Sequence, residues 1–282
     1  MGFIDAFKRW RLAKKGMSSG KKRRTSTTSE NAVVDSMERS AWMKLLIYAV
    51  FSCSVCLIAA FYVSEETLFH NSGLRRSLIC MILCAAVILV YHTKESLRVG
   101  NARVVLIFGG ILVHLALLRA TCYLIDRNAW DIDYRILLPP LAFAPMVNSV
   151  LAGRHAGAFS SLAVSIFGCL MMPVPEIFCF LIISLIVGFM AVALTRRVRR
   201  RGNLLRAGFY VGLTTFLLSL AFDKIDLFML ASSEQIWVEG TKIIVVLLGG
   251  LLTGMVVSGL LPALESLFTI TTNISWLEMS DL

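Results

Sequence analysis

Three stretches of this chain, residues 45–63, 177–194 and 243–261, contain no charged residue. Each has about the 18 or more apolar residues that a helix needs to cross the hydrocarbon core of a bilayer. Hydrocarbon offers no partner to backbone N–H and C=O groups, so only helices and closed barrels satisfy them there. At this length, the three stretches predict membrane-spanning helices.

Five further apolar stretches are shorter or interrupted, and Arg, Asp, Pro or Gly residues that indicate turns bracket each of them. They cover residues 77–91, 104–118, 136–152, 156–172 and 207–222. Over the whole chain, 57% of the residues are hydrophobic and 16% are charged, which excludes a water-soluble globular protein. We predict an all-α, polytopic integral membrane bundle of about eight transmembrane helices, with no large soluble domain.

The distribution of basic residues predicts the orientation of the bundle. Most of the 28 Lys and Arg residues lie on one side if the amino terminus is cytoplasmic, as the positive-inside rule requires. An even number of spans then places the carboxyl terminus in the cytoplasm as well. The densest basic cluster is interpreted either as a topological lock that contacts anionic lipid headgroups or as a docking surface for a cytosolic domain. It consists of Arg196, Arg197, Arg199, Arg200 and Arg201.

The sequence divides into segments of different character. Residues 1–44 form a basic, Ser/Thr-rich tail, predicted to be disordered and cytoplasmic and to contact anionic lipid rather than nucleic acid. Residues 45–63 are interpreted as a retained membrane anchor and residues 64–76 as a short extracytoplasmic loop. Residues 77–262 hold the seven remaining predicted spans. Residues 263–282 are interpreted as a cytoplasmic connector.

The sequence contains no recognisable catalytic or metal-binding set. Its four histidines are dispersed, and its seven cysteines fall within predicted spans or near their ends. The Cys53-x-x-Cys56 pair lacks the second ligand pair that a metal site needs, so we interpret both residues as small buried thiols. We therefore expect no catalytic, cofactor-binding or metal-binding residue in this chain.

Two polar residues lie deep within predicted spans. His114 is surrounded by apolar residues, where an ionisable group indicates either a sensing or proton-transfer role or a hydrogen bond between helices. Asn148 follows the Pro139-Pro140 pair, which must kink the helix or mark its first turn. Broken helices are typical of transporter binding sites, and the Pro pair is also compatible with a simple helix boundary.

The last predicted span carries small residues four positions apart: Gly250, Gly254 and Ser258. This spacing places them on one helix face, where a second helix can approach closely. Two partners fit this pattern. One is another helix of the same bundle, and the other is the same helix of a second copy, which would give a homodimer.

Two stretches of the sequence resemble a known family. They are RRVRRRGNLLRAG at residues 196–208 and LPALESLFTITTNISWLEMSDL at residues 261–282, and both are similar to the membrane region of bacterial seven-transmembrane HD-domain (HDIG) phosphohydrolases. In that family, which hydrolyses cyclic di-AMP, the last membrane helix leads through such a segment into a metal-binding HD domain. The resemblance implies location in the bacterial cytoplasmic membrane. It further implies a signal-coupling connector that includes Glu265, Ser266, Phe268, Thr271, Thr272 and Glu278.

The sequence departs from this family in two ways. Residues 64–76 stand where the family usually has a sizeable extracellular domain, and the HD domain with its divalent metal pair is absent. We therefore expect a membrane-embedded regulatory or sensory module that is not an enzyme by itself and acts on a separate HD-domain hydrolase. The alternatives are a component of a small-solute permease or an inactive, truncated remnant.

Overall fold

The computed structural model of this chain describes residues 40–60, 73–94, 100–128, 130–195, 201–226 and 236–268. The predicted tail up to residue 39 and residues 64–72 of the predicted loop lie outside these ranges. A 3₁₀ turn at Val174–Glu176 precedes α7. The α-helices are α1 Ala41–Ala60, α2 Gly73–Lys94, α3 Asn101–Arg127, α4 Tyr134–Leu137, α5 Phe143–Leu151, α6 Arg154–Cys169, α7 Ile177–Thr195, α8 Arg201–Ala221 and α9 Ile236–Phe268.

The predicted fold class, an all-α membrane bundle, is confirmed. Each of the predicted spans coincides with helical structure. The span predicted at residues 136–152 is divided into the short helices α4 and α5, and the span predicted at residues 156–172 is the 16-residue helix α6. A shorter apolar stretch, Ser77–Thr93, lies in α2. The count of eight spans stays a prediction, because five helices in the described ranges have the length and composition to cross a membrane. These are Ala41–Ala60, Asn101–Arg127, Val174–Thr195, Gly202–Ala221 and Ile236–Phe268.

The fourth predicted span is broken at its proline pair. α4 ends at Leu137, the backbone turns over Pro139 and Pro140, and α5 begins at Phe143. The Phe143 N–H donates to the Pro140 C=O at 3.0 Å and closes this turn. Because proline has no N–H to donate within a helix, regular helix resumes after the pair. The structure thus agrees with the helix-boundary interpretation.

Aromatic rings from four helices pack together in the core of the bundle. Phe51 of α1 contacts Phe108 of α3, with ring centroids 4.7 Å apart, and Phe167 of α6, with centroids 6.1 Å apart. Tyr91 of α2 lies against the same Phe108 at 5.2 Å. All four side chains are buried and meet edge to face, which is the favoured geometry for aromatic pairs. This cluster joins α1 and α2 to the rest of the bundle.

The prediction that Cys53 and Cys56 are both buried is wrong for Cys53. Cys53 is exposed and Cys56 is partly buried. α1 buries a single narrow face, on which Phe51, Val55 and Ala59 recur every fourth residue, and Cys53 lies about opposite to that face of the helix. Among the residues that the structure describes, no group of His, Cys, Asp and Glu could hold a metal ion.

Candidate functional site

His114 of α3 and Asn148 of α5 both lie at the contact between these two helices, and both side chains are fully buried. The Ala144 N–H of α5 donates to His114 Nδ1 at 3.2 Å. Asn148 Nδ2 donates to the Ile107 C=O of α3 at 3.1 Å and to Ser160 Oγ of α6 at 2.6 Å. The two polar candidates therefore hold three neighbouring helices together, as the helix–helix hydrogen-bond interpretation expects.

Two polar atoms of this contact have no hydrogen-bond partner within the described ranges: His114 Nε2 and Asn148 Oδ1. Because Nδ1 accepts a hydrogen bond, a neutral His114 carries its proton on Nε2. The side-chain amide of Asn148 is closely packed against α3, since a Cβ on Gly110 would lie 3.0 Å from Asn148 Oδ1. The site can hold helices together, and this packing leaves no room for a solute on the Gly110 side of Asn148.

Replacing Asn148 with leucine should destabilise the bundle by about 1 to 2 kcal/mol, because two buried hydrogen bonds between helices are lost. Unfolding in detergent, followed by circular dichroism, measures this change. The matched control is Ser149→Ala on the same helix, since the buried Ser149 Oγ has no hydrogen-bond partner in the part of the chain described. Equal losses from both variants would contradict a bonding role for Asn148.

Gly250 and Gly254 face α8 of the same chain. A Cβ on Gly250 would lie 2.4 Å from the Gly212 Cα, and one on Gly254 would lie 2.7 Å from the Leu204 C=O oxygen. Ser258, one turn further along, is partly buried. The small residues thus bring the backbones of α8 and α9 into contact, which agrees with packing inside the bundle. The homodimer through the last helix stays a prediction and would need another face of α9.

The first part of the predicted connector is helical. α9 continues through Pro262 to Phe268, so the predicted boundary between residues 262 and 263 lies inside an unbroken helix. Glu265 and Phe268 are partly buried, and Ser266 is exposed, with its hydroxyl donating to the Ala263 C=O at 2.8 Å. Three predicted connector residues lie outside the described ranges: Thr271, Thr272 and Glu278.

The predicted basic cluster lies between α7 and α8. Arg201 is the first residue of α8, whereas Arg196, Arg197, Arg199 and Arg200 lie outside the described residues. Their roles as a topological lock, as headgroup contacts or as a docking surface stay predictions.

A group of five charged side chains, which the sequence did not indicate, surrounds the start of α9. Lys242 Nζ donates to Glu239 Oε1 at 3.0 Å and to Asp133 Oδ2 at 3.1 Å. Lys224 Nζ donates to Glu176 Oε1 at 2.5 Å and to Asp133 Oδ1 at 3.1 Å. We call Asp133, Glu176, Lys224, Glu239 and Lys242 the ion cluster. It brings together four separate parts of the chain.

The charges of the ion cluster stabilise one another. Burial lowers the pKa of Lys224, but the hydrogen bonds and negative charges of Glu176 and Asp133 together outweigh burial and raise this pKa above its ordinary value. Lys224 is therefore a cation at neutral pH. In the sequence, these five residues have the appearance of ordinary polar residues beside spans, and their pairing depends on contacts between distant segments.

The ion cluster and the predicted connector lie at opposite ends of α9. Asp133 precedes α4, Glu176 precedes α7 and Lys224 follows α8, whereas the basic cluster joins the other ends of α7 and α8. α9 begins at the ion cluster and runs for 33 residues to Phe268. A single helix, α9, thus links the ion cluster to the first residues of the predicted connector.

A family described as 7TM receptor with intracellular HD hydrolase matches residues 71–272 of this chain. The chain belongs to this family. The resemblance inferred from residues 196–208 and 261–282 is thereby confirmed. The match takes in α2 to α9, which make seven helical segments when α4 and α5 are taken as one broken span. The chain is therefore a multi-pass membrane protein with a receptor-type membrane domain.

One relative is the cyclic-di-AMP phosphodiesterase PgpH of Listeria monocytogenes serotype 1/2a (strain 10403S). It is 25% identical to this 7TM receptor chain over 205 residues, which is 72% of this chain and 28% of the relative. The chain thus matches little more than a quarter of that protein's length. No solved structure matches the chain.

Proposed function

We propose that this 7TM receptor chain is a regulatory module that transmits rearrangement of its membrane helices to a cytoplasmic HD-type hydrolase. The observation that carries the proposal is the continuity of α9 from the ion cluster to Phe268. A helix passes a shift or rotation at one end to the other, because its backbone hydrogen bonds make it stiff along its axis. Pro262 removes one of these bonds near the end of α9 without ending the helix. The name of the PgpH relative supports cyclic di-AMP as the substrate of the hydrolase.

The proposal assigns the chemistry to the hydrolase. The divalent metal pair that supplies this hydrolytic chemistry would belong to the HD domain, which follows Leu282 or lies on a separate polypeptide. The proposed location is the bacterial cytoplasmic membrane, with both termini in the cytoplasm. The basic cluster would then contact anionic headgroups of the inner leaflet.

The close packing of Gly110 against Asn148 gives the permease interpretation no support. The broken span that suggested a binding site positions a buried hydrogen bond between helices. We therefore propose no transport function.

The test is a change in the rotational phase of α9. Translating the DNA downstream of the Leu282 codon in every frame first identifies the hydrolase, which is expressed together with the full chain. One alanine inserted after Ala263 turns the following residues by about 100°, whereas seven alanines add about two full turns and restore the phase. We expect the single insertion to change cyclic di-AMP hydrolysis in membranes by about fivefold or more.

The seven-residue insertion is the matched control, and it should leave the hydrolysis rate closer to that of the unaltered chain. Both insertions lengthen α9 at the same position, so they differ in rotation rather than in the mere presence of added residues. A hydrolysis rate that is the same in all three proteins would contradict coupling through α9. The absence of an HD-type reading frame downstream would direct the search to a separate gene.

A further inference from the structure

The first turns of α9 make both charged and apolar contacts, and the charged contacts come first along the helix. Its first buried residues are Glu239 and Lys242, and the first buried apolar residue is Val246. Trp237, Val238 and Ile244 in the same turns are exposed on the surface of the bundle. The contacts that fix this end of α9 therefore come from the ion cluster together with Ile243 and Val246, which belong to an apolar cluster with Leu137 and Ile225.

Asp133 is the central residue of the ion cluster. Its two carboxylate oxygens accept hydrogen bonds from two different lysines, Lys224 after α8 and Lys242 in α9, each at 3.1 Å. Lys242 Nζ also lies 3.4 Å from the Lys224 C=O oxygen. Removing the Asp133 charge would thus weaken two contacts at once, one with α9 and one with the segment that follows α8.

The side chains of the ion cluster are shielded from solvent to an extent that makes their pairing important for stability. The side chain of Lys242 is 8% exposed, that of Glu239 is 11% exposed and that of Asp133 is 21% exposed. Charges in such surroundings are weakly screened by salt, and leaving one of them without its partner is costly. Such a network favours one arrangement of the connected segments over others.

We propose that the ion cluster is a latch that holds the start of α9 in one position and whose opening frees this helix to move. The role of α9 in carrying the movement rests on the proposed function. The latch itself rests on the contacts of Asp133, Lys224 and Lys242. In the predicted orientation it lies on the extracytoplasmic side, where a signal from outside the cell would reach it.

The packing along the rest of α9 is compatible with such a movement. Gly208 and Gly212 of α8 face Gly250 and Gly254 of α9, so backbones rather than interlocking side chains form this contact. Small residues let the two backbones approach closely, so few side chains at this contact would need to change rotamer if the helices shifted. The latch then supplies the specific contact that fixes their relative position.

Hydrogen exchange measured by mass spectrometry on the full chain in lipid nanodiscs tests the latch. Asp133→Asn should speed exchange of the α9 amides at residues 236–246 on the order of tenfold, since opening of these turns becomes easier. The matched control is Asp126→Asn, which removes a carboxylate before the same α4 helix. Its partner Arg135 lies in α4 rather than α9, so exchange in α9 should stay within about twofold of the unaltered chain.

Thermal unfolding shows whether each variant remains folded. If Asp133→Asn does not fold, Lys242→Gln serves as the second variant, because it removes the α9 cation and leaves the Lys224–Asp133 pair in place. Unchanged α9 exchange in a folded Asp133→Asn or Lys242→Gln protein would overturn the latch, and so would equal acceleration by Asp126→Asn. The measurement needs no hydrolase, so its failure is distinct from failure of the insertion test of coupling.

Discussion

Replacing Gly250 with leucine is expected to separate α8 from α9 and to destabilise the 7TM receptor bundle by about 3 kcal/mol. Even a Cβ at this position would lie 2.4 Å from both the Cα and the N of Gly212. These are backbone atoms, which cannot rotate away as the end of a side chain can. The two helices must therefore move apart and lose the contacts along their whole interface. Unfolding of the purified chain by denaturing detergent, followed by circular dichroism, measures the loss.

The matched control is Gly259→Leu on the same helix. No atom lies within 4 Å of a Cβ built on Gly259, and the residue is exposed on the bundle surface. Both variants make the same change in side chain and in helix propensity, so they differ in the presence of α8. We expect Gly259→Leu to change the free energy of unfolding by less than about 1 kcal/mol. Equal destabilisation by the two variants would show that close approach of α8 is not the cause.

The glycine spacing in α9 predicts a close helix contact but does not identify the partner. Gly208 and Gly212 of α8 have the same four-residue spacing, and this signal could have indicated the partner from the sequence. Pairing two such motifs still requires knowing that their helices are neighbours and lie in register. Hydropathy predicts that the two helices exist, whereas only the packed structure shows that they are neighbours and in which register they lie.

The membrane spans could be predicted because the bilayer imposes a simple requirement on length and polarity. The shorter and more polar predicted spans are stabilised by contacts with neighbouring helices. Ser160, Ser161 and Ser165 of α6 are buried within the bundle rather than exposed to lipid, and Ser165 Oγ donates to Ser184 Oγ of α7 at 3.0 Å. Hydropathy counts such residues as unfavourable, although their hydrogen bonds compensate for their burial.

The ion cluster could not be predicted, since its charges lie beside apolar spans where polar residues are expected in any orientation. Asp133 and Lys242 are 109 positions apart. Their contact depends on how the segment that precedes α4 packs against α9. His114 and Asn148, which the sequence places deep within apolar spans, are buried in the structure. The residues of the ion cluster come from separate segments, and the sequence does not indicate their pairing.

Replacing Lys242 with methionine should cost about 3 kcal/mol, because the buried carboxylate of Glu239 and the partly buried one of Asp133 then lose a shared cation. Methionine keeps the length and apolar stem of the side chain, so the loss reports the charge. The exposed Arg206 of α8 provides the control, and Arg206→Met should change the free energy of unfolding by about 0.5 kcal/mol or less. Chemical unfolding in detergent compares the two.

A second substitution separates loss of pairing from loss of packing. If Lys242 acts by neutralising Asp133, then Asp133→Asn should cost less in the Lys242→Met background than in the unaltered chain, by about 1 kcal/mol. The double variant retains the Lys224–Glu176 pair, so part of the ion cluster persists. Fully additive losses would mean that the Lys242–Asp133 contact contributes nothing beyond packing, and the position of α9 would then depend on its other contacts, which include the glycine contact with α8 and the apolar packing of Val246.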